Sequence, residues 1–242
     1  MGSMKNGKMI MIDGIGGSGK TTIIHALKEW METQGKSFFD LQMWSKENRC
    51  PPCFEEVKDH DVFFTFEPTR TWIGEAIRFE LAREDDPYGA VELAHAFALD
   101  RQIMYKRLII PALEHGKIIL QDRGISTSLI YQPIMKGGIT IENLLEIPGN
   151  ALAMKYAPDH LILTDLDSQK VVERLSLRSE ESKGVFTQLP LLKQASERFH
   201  SAWFAQLFES YGTCLHCFRT DLSTQTMIKH IKLILANLLN FS

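Results

Sequence analysis

Residues 9–22 read Met9-Ile10-Met11-Ile12-Asp13-Gly14-Ile15-Gly16-Gly17-Ser18-Gly19-Lys20-Thr21-Thr22, and this stretch decides the fold. The apolar run Met9–Ile12 has the character of a buried strand. It leads into a glycine-rich turn and then into apolar residues at helical spacing: Ile23, Ile24, Leu27, Trp30 and Met31. Strand, turn and helix in that order match G-x-x-x-x-G-K-[ST], the P-loop. Gly14, Gly16, Gly17, Ser18 and Gly19 let successive backbone N–H groups converge on phosphate oxygens, where bulky side chains would block the approach. Lys20 then reaches the outer phosphates, and the Thr21 hydroxyl, followed by Thr22, can sit on Mg²⁺. The helix N-terminus turns its dipole toward the same anion. The expected ligand is a nucleoside triphosphate.

The rest of the chain bounds the setting. With 242 residues it is expected to be a single large domain over 4–242, Met1-Gly2-Ser3 reading as a cloning scar ahead of Met4. A net charge of −3 speaks against a nucleic-acid machine. No apolar run approaches the ~20 residues of a membrane span, and no secretory signal is visible. Four cysteines without such a signal suggest reduced thiols or a metal. A cytoplasmic protein acting on small molecules, without nucleic-acid or membrane partners, is the expectation.

Strand-like and helix-like segments alternate. Besides the first strand, Ser37–Leu41, Val62–Phe66, Lys117–Leu120, Leu161–Thr164 and Thr213–Phe218 read as strands. Helical patterns cover Ile73–Leu81, Ala90–Leu113, Ile141–Met154, Gln169–Leu177, Leu189–Phe208 and Ser223–Leu239. Alternation implies βαβ units, hence an α/β fold of P-loop type: about five parallel strands with helices on both faces. Ligands in such sheets gather beyond the carboxyl ends of the strands. Residues 44–61 break the rhythm, being polar, with Cys50-Pro51-Pro52-Cys53 and the charge run from Glu55 to Asp59, and read as an inserted loop or small lobe.

A second landmark is Ile118-Ile119-Leu120-Gln121-Asp122-Arg123. An apolar strand ending in Asp is where a nucleotide enzyme places its second magnesium-shell carboxylate, and Arg123 could hold a transferring phosphate bidentately. Elsewhere such a pair is an ordinary surface turn; a P-loop in the same sheet favours the functional reading.

Several segments, taken in order, resemble the thymidylate kinase family of nucleoside monophosphate kinases. Asp13–Thr22 resembles the family's opening. Thr65-Phe66-Glu67-Pro68-Thr69-Arg70-Thr71-Trp72-Ile73-Gly74-Glu75-Ala76-Ile77-Arg78 is similar to its Arg-Glu-Pro-Gly segment, which runs into a helix at Ile-Gly-Glu. His95-Ala96-Phe97-Ala98-Leu99-Asp100-Arg101 resembles its Phe-Ala-Ala-Asp-Arg helix, and Asp122–Gln132 its Asp-Arg-Tyr…Ser…Ala-Tyr-Gln segment. Residues 165–178 with Lys183 resemble the last strand and helix before a mobile lid.

The resemblance implies transfer of the γ-phosphate of ATP, with Mg²⁺, to a nucleoside monophosphate, dTMP first, by an enzyme of a usually dimeric family. Arg70 and Arg123 match positions holding the acceptor phosphate. Phe97 and Arg101 match positions that stack on the thymine and read its edge, and Tyr131 one beneath the acceptor sugar. Glu67, Thr127 and Gln132 fall in the same acceptor segments. Lys20, Arg123, Arg174 and Arg178, with Lys183, would carry the charge of the transferring phosphoryl. Each has a plainer alternative. Phe97 and Leu99 fit a helical core face; Arg101 could pair with Asp100 or Glu92 on a wet surface; Tyr131 could be a boundary residue; Arg174 and Arg178 could lie on a solvated helix face; Glu67-Pro68 could be a strand-ending turn.

Three departures from the family pattern bear on the acceptor. Gly16 stands where the P-loop usually carries an acid, with Asp13 a candidate substitute. Phe66 replaces an Arg, and Gly124 replaces an aromatic, which could widen the acceptor pocket. A kinase for another small acceptor, and a P-loop ATPase or switch acting on a protein partner, are the rival readings. Cys50, Cys53, Cys214 and Cys217 have the ligand count of one shared zinc site, against free or buried thiols.

Overall fold

Along β1 (Lys8–Asp13) successive side chains point to opposite faces, and that period of two divides the core. Met9 and Met11 enter one apolar cluster, Ile10 and Ile12 the other, all four fully buried. The computed structural model describes residues 6–83, 87–167, 169–171 and 189–241. Within them β2 (Phe38–Asp40), β3 (Val62–Phe66), β4 (Ile118–Asp122), β5 (His160–Asp165) and β6 (Cys214–Arg219) join β1 in one six-stranded sheet of order β2-β3-β4-β1-β5-β6. Every pairing is parallel. All six segments read as strands contribute to the sheet, against an expected total of about five; β2 is only a three-residue edge strand.

α1 (Lys20–Thr33) follows β1, and α2 (Leu41–Glu47) and α3 (Phe54–Val57) occupy the irregular segment after β2. α4 (Trp72–Ala76) continues into a π turn at Ile77–Leu81; α5 (Ala90–Met104) passes through a second, Tyr105–Ile109, into α6 (Ile110–Glu114). After β4 come α7 (Ile125–Tyr131), α8 (Ile141–Glu146) and α9 (Pro148–Lys155), then α10 (Leu189–Phe199), α11 (Ala202–Ser210) and α12 (Thr224–Leu239). The helix expected over 141–154 is two helices, because Pro148 restricts Ile147 to extended backbone (ψ 126°) and opens a new first turn.

α1 and α12 cover the Ile10/Ile12 face through Ile23, Leu27, Met31, Met227, Ile231 and Leu235. α5, α6, α7, α10 and α11 cover the Met9/Met11 face. The 44–61 segment rests on this second layer: Phe54 and Val57 are buried, Trp44 packs edge-on against Phe39, and Arg107 donates to Pro51 O at 2.9 and 3.2 Å. A third, small cluster of Ile77, Leu93 and Phe97, edged by Ile73 and Met135, lies between α4 and α5. Among the described residues no helix is long and apolar enough to cross a membrane.

β1 lies between β4 and β5: the chain runs from it to the edge strand β2, returns through β3 to β4, and then crosses β1 to reach β5 and β6, so the direction of winding reverses around its carboxyl end. Such a reversal opens a crevice there. The same order overturns the shared zinc site. Cys50 and Cys53 follow β2 at one edge, whereas Cys214 and Cys217 lie exposed on β6 at the other. Strands are spaced about 4.8 Å apart, so the pairs are far beyond a Zn–S bond of about 2.3 Å. No group of three His, Cys, Asp or Glu able to hold a metal converges among the described residues.

Candidate active site

The turn after β1 is built as its glycines require. Gly14, Gly17 and Gly19 have φ of 141°, 81° and 98°, where residues with a Cβ are disfavoured. A Cβ on Gly14 would also stand 2.6 Å from Thr164 O. Lys20 lies along the loop, its Nζ donating to Gly14 O (2.9 Å), Ile15 O (2.8 Å) and Ser18 Oγ (3.2 Å). Ser18 Oγ meets Thr164 Oγ1 on β5 at 2.6 Å, tying the loop to the sheet. Thr21 and Thr22, on the first turn of α1, are exposed.

Asp13 does not replace the missing acid of the loop. It is fully buried and accepts from Gly14 N–H (2.7 Å), Ser126 Oγ (2.5 Å), Thr127 Oγ1 (2.6 Å) and Arg123 Nη1 (3.3 Å). Both oxygens thus join the P-loop to the start of α7. Gly16 itself has open space: nothing lies within 4 Å of where its Cβ would be.

Asp122 ends β4 opposite Ile12. Its Oδ1 is buried without a hydrogen-bond partner among the described residues, and burial pushes its pKa up while Lys20 and Arg123 pull it down. A buried hard-oxygen donor beside a phosphate loop fits Mg²⁺, with the Thr21 hydroxyl as the second candidate ligand. Arg123 holds a left-handed φ of 65°, a strain of ~1 kcal/mol, and its N–H donates to Ile12 O at 3.0 Å. This corner carries the guanidinium to the P-loop, where it donates to Gly14 O at 3.2 Å.

Gly124 does not widen the site. A Cβ there would meet Met11 Cε at 2.5 Å and Gln121 Nε2 at 2.9 Å, so neighbouring side chains already fill the space. Tyr131 is buried, and its hydroxyl accepts from the Gly16 backbone N–H; burial, aided by the charge of Asp13 and opposed by that of Arg123, leaves its pKa pushed up to about 12. Gln132 is also buried, neither amide atom having a hydrogen-bond partner among the described residues.

The loop leaving β3 forms the far wall. Arg70 is exposed between the buried Thr69 and Thr71. Arg78 reaches back to donate to Thr69 O (2.9 Å) and Pro68 O, its guanidinium over the Phe66 ring at 5.6 Å. Burial, followed by the charge of Arg70 and more weakly Arg123, pushes the Arg78 pKa down to about 10. Arg78 thus lies close enough to both Arg70 and Arg123 to be repelled by each, an arrangement an anion would relieve.

Arg101 is fully buried on α5 and pairs with neither Asp100 nor Glu92. Its Nε and Nη2 donate to Glu67 Oε2 at 2.9 and 2.7 Å, Nη2 also to Ser128 Oγ at 3.0 Å, and Nη1 to Asn150 Oδ1. Gln121 donates to the other Glu67 oxygen at 3.1 Å. Phe97 is 9 % exposed in the small third cluster, while Leu99, expected on the same core face, is 46 % exposed. Arg174, Arg178 and Lys183 lie outside the described residues. Sequence reading passed over Arg78, Ser126 and Asn150; Arg78 stands within the quoted segment after Glu67-Pro68, whereas Asn150 sits in no motif and carries no signal.

The Glu67 environment makes stability depend on pH. Burial raises its pKa from 4.5 to about 7, against the opposing pull of Arg101. The folded chain therefore binds this proton more tightly than the unfolded chain. The contribution is greatest below pH 4.5 and is lost as pH rises toward 7, by up to about 1.4 kcal/mol per pH unit. Asp100 and Asp122, also raised by burial, act in the same direction. Urea unfolding from about pH 5 to 7.5 should show a shallower slope for Glu67→Gln than for the parent protein; equal slopes would assign the dependence to other groups.

A phosphate loop at the switch point of a parallel sheet, a strand-end carboxylate beside it and a row of arginines facing it define a P-loop phosphotransferase. The Thymidylate kinase family model matches residues 53–208. The probable thymidylate kinase of Pyrococcus abyssi is 33 % identical over 208 residues, covering 84 % of this chain and 85 % of its own. That of Methanoculleus marisnigri is 27 % identical over 79 % of this chain and 78 % of its own, and the thymidylate kinase of Pelotomaculum thermopropionicum 34 % identical over 70 % and 67 %. The chain belongs to the thymidylate kinase family, a family of nucleoside monophosphate kinases.

Proposed function

We propose that this protein transfers the γ-phosphoryl group of ATP to dTMP, giving dTDP and ADP. The observation that carries the chemistry is the presence of two neighbouring groups of cations, Lys20 and Arg123 at the P-loop and Arg70 with Arg78 on the segment leaving β3. A hydrolase needs one anion site; joining two phosphates needs cations for both. The acceptor phosphate oxygen attacks the γ-phosphorus as the bond to ADP breaks, and no general base is required because that oxygen is already ionised at neutral pH.

In this reading Gly14–Thr22 cradle ATP, Lys20 and Arg123 meet the charge of the transferring group, and Arg70 holds the acceptor phosphate. Mg²⁺, held by Thr21 and Asp122, supplies charge neutralisation on the ATP phosphates. Phe97 and Tyr131 line the base and sugar, with Thr127 and Gln132 beside them, and the buried Glu67–Arg101 pair stiffens the wall behind. Arg174 and Arg178 are proposed to close from the lid. Exposed Val91 and Leu99, two turns apart on α5, favour a homodimer, and a cytoplasmic enzyme is proposed.

The test is ADP release from Mg-ATP across nucleoside and deoxynucleoside monophosphates, with a no-acceptor control. dTMP is expected to give the highest kcat/KM. Preference for another monophosphate would change the acceptor, and ADP release indifferent to every acceptor would favour an ATPase.

A further inference from the structure

Arg70 is an exposed residue on a loop, yet the backbone that carries it is fully committed. Thr69 is 1 % exposed: its N–H donates to Asp100 Oδ2 at 2.7 Å, and its hydroxyl to Asp100 Oδ1 at 2.7 Å. Its carbonyl accepts from Arg78 Nε at 2.9 Å, and Pro68 O accepts from the same guanidinium. On the far side Thr71 is likewise 1 % exposed, and its carbonyl accepts from Gly74 N–H at 3.0 Å. A Cβ on Gly74 would lie 2.6 Å from Thr69 O, so the loop closes tightly onto α4. Asp100 itself is 4 % exposed and comes from α5, a rigid element outside the loop.

We propose that Asp100 is a positioning residue for acceptor binding: by gripping Thr69 it fixes the backbone from which Arg70 reaches the acceptor phosphate. Arginine carries a large rotamer entropy, and anchoring the adjacent backbone lowers the ordering cost of each hydrogen bond it makes to the phosphate. The proposal rests on the reading in which Arg70 holds that phosphate. Asp100 never touches substrate; its effect passes through Thr69.

The readout must separate phosphate capture from damage to the whole site. Thymidine has the base and sugar of dTMP without the phosphate, so its competitive inhibition constant reports the rest of the pocket. Asp100→Asn and Thr69→Val, which remove one carboxylate oxygen or the hydroxyl at nearly constant volume, should each raise the KM for dTMP about tenfold, the order expected for a lost charge-assisted hydrogen bond. The thymidine constant and the KM for ATP should stay within about threefold. Thr69→Ser, which keeps the hydroxyl, should behave as the parent. In an Arg70→Ala background Thr69→Val should add no further loss, as expected for residues acting as a unit.

If Arg70→Ala leaves the dTMP KM unchanged, the reading of Arg70 falls and the positioning role with it. A raised dTMP KM in Arg70→Ala, with parental values in Asp100→Asn and Thr69→Val, would overturn the positioning role alone. Parallel weakening of thymidine and dTMP would also overturn it, marking Asp100 as general scaffolding. Should Asp100→Asn fail to fold, the Thr69→Val and Thr69→Ser pair decides by the same criteria.

Discussion

Lys20→Ala is expected to lower dTMP-dependent ADP release by at least about a thousandfold, while the protein still unfolds cooperatively near the parent midpoint. The ammonium lies on Gly14 O, Ile15 O and Ser18 Oγ, in the mouth of the loop and beside Asp122. Charge accumulates on the phosphoryl oxygens as the bond to ADP breaks, and a preorganised donor in such a site contributes roughly 3–4 kcal/mol to the transition state. That corresponds to roughly 150- to 900-fold for one neutral donor alone, and the net charge of Lys20 moves it upward to about a thousandfold or more. The structural loss is smaller. Three loop oxygens lose one donor, about 1–2 kcal/mol, while the Ser18–Thr164 and Asp13–Gly14 contacts still hold the turn. Lys20→Arg should not restore activity, because a planar guanidinium does not fit a cradle shaped around a compact ammonium. ADP release and urea unfolding on the same preparations separate the two effects. A loss below about tenfold would remove the P-loop lysine from the mechanism.

The P-loop was legible in the sequence because its geometry is local: a strand, four glycines and a helix start within fifteen residues dictate their own backbone. The inner strands were legible for a related reason, since β1, β3, β4 and β5 are short, nearly continuous buried runs of mostly apolar residues, as a parallel sheet covered on both faces requires. What sequence reading missed depends on separation along the chain. Asp13 looks like an available carboxylate until α7, more than a hundred residues later, brings Ser126 and Thr127 to it. Gly124 looks like lost volume until Met11 and Gln121 are seen to fill it. Arg101, in a helix segment that suggested a substrate contact, is enclosed by Glu67, Ser128 and Asn150 from three other elements. The cysteines show the limit most simply, for ligand count can be read from spacing whereas the distance between sheet edges cannot.

Gly149→Ala is expected to destabilise the protein by at least about 4 kcal/mol, although local propensity predicts the opposite sign. Gly149 lies in the first turn of α9, where alanine would by itself favour the helix by about 1 kcal/mol. A Cβ there, however, would stand 1.8 Å from Ala98 O and 2.6 Å from Ala98 C, both backbone atoms in the middle of α5. No side chain can rotate away, so one helix must move from the other, and the cost exceeds the 1–3 kcal/mol typical of overpacking. In a chain of this size that is a fall of roughly 10 °C or more in Tm. Gly16→Ala supplies the contrast, since nothing lies within 4 Å of its added carbon and it should stay within about 0.5 kcal/mol. The displacement would not stop at packing. Asn150, the next residue, accepts from Arg101 and donates to Leu144 O at 2.7 Å, so shifting α9 disturbs the wall that Arg101 and Glu67 build. Gly149→Ala should therefore weaken dTMP more than ATP in whatever fraction folds. Parent-like stability would mean that α5 and α9 do not approach this closely, and the route from α9 to the acceptor wall would go with it.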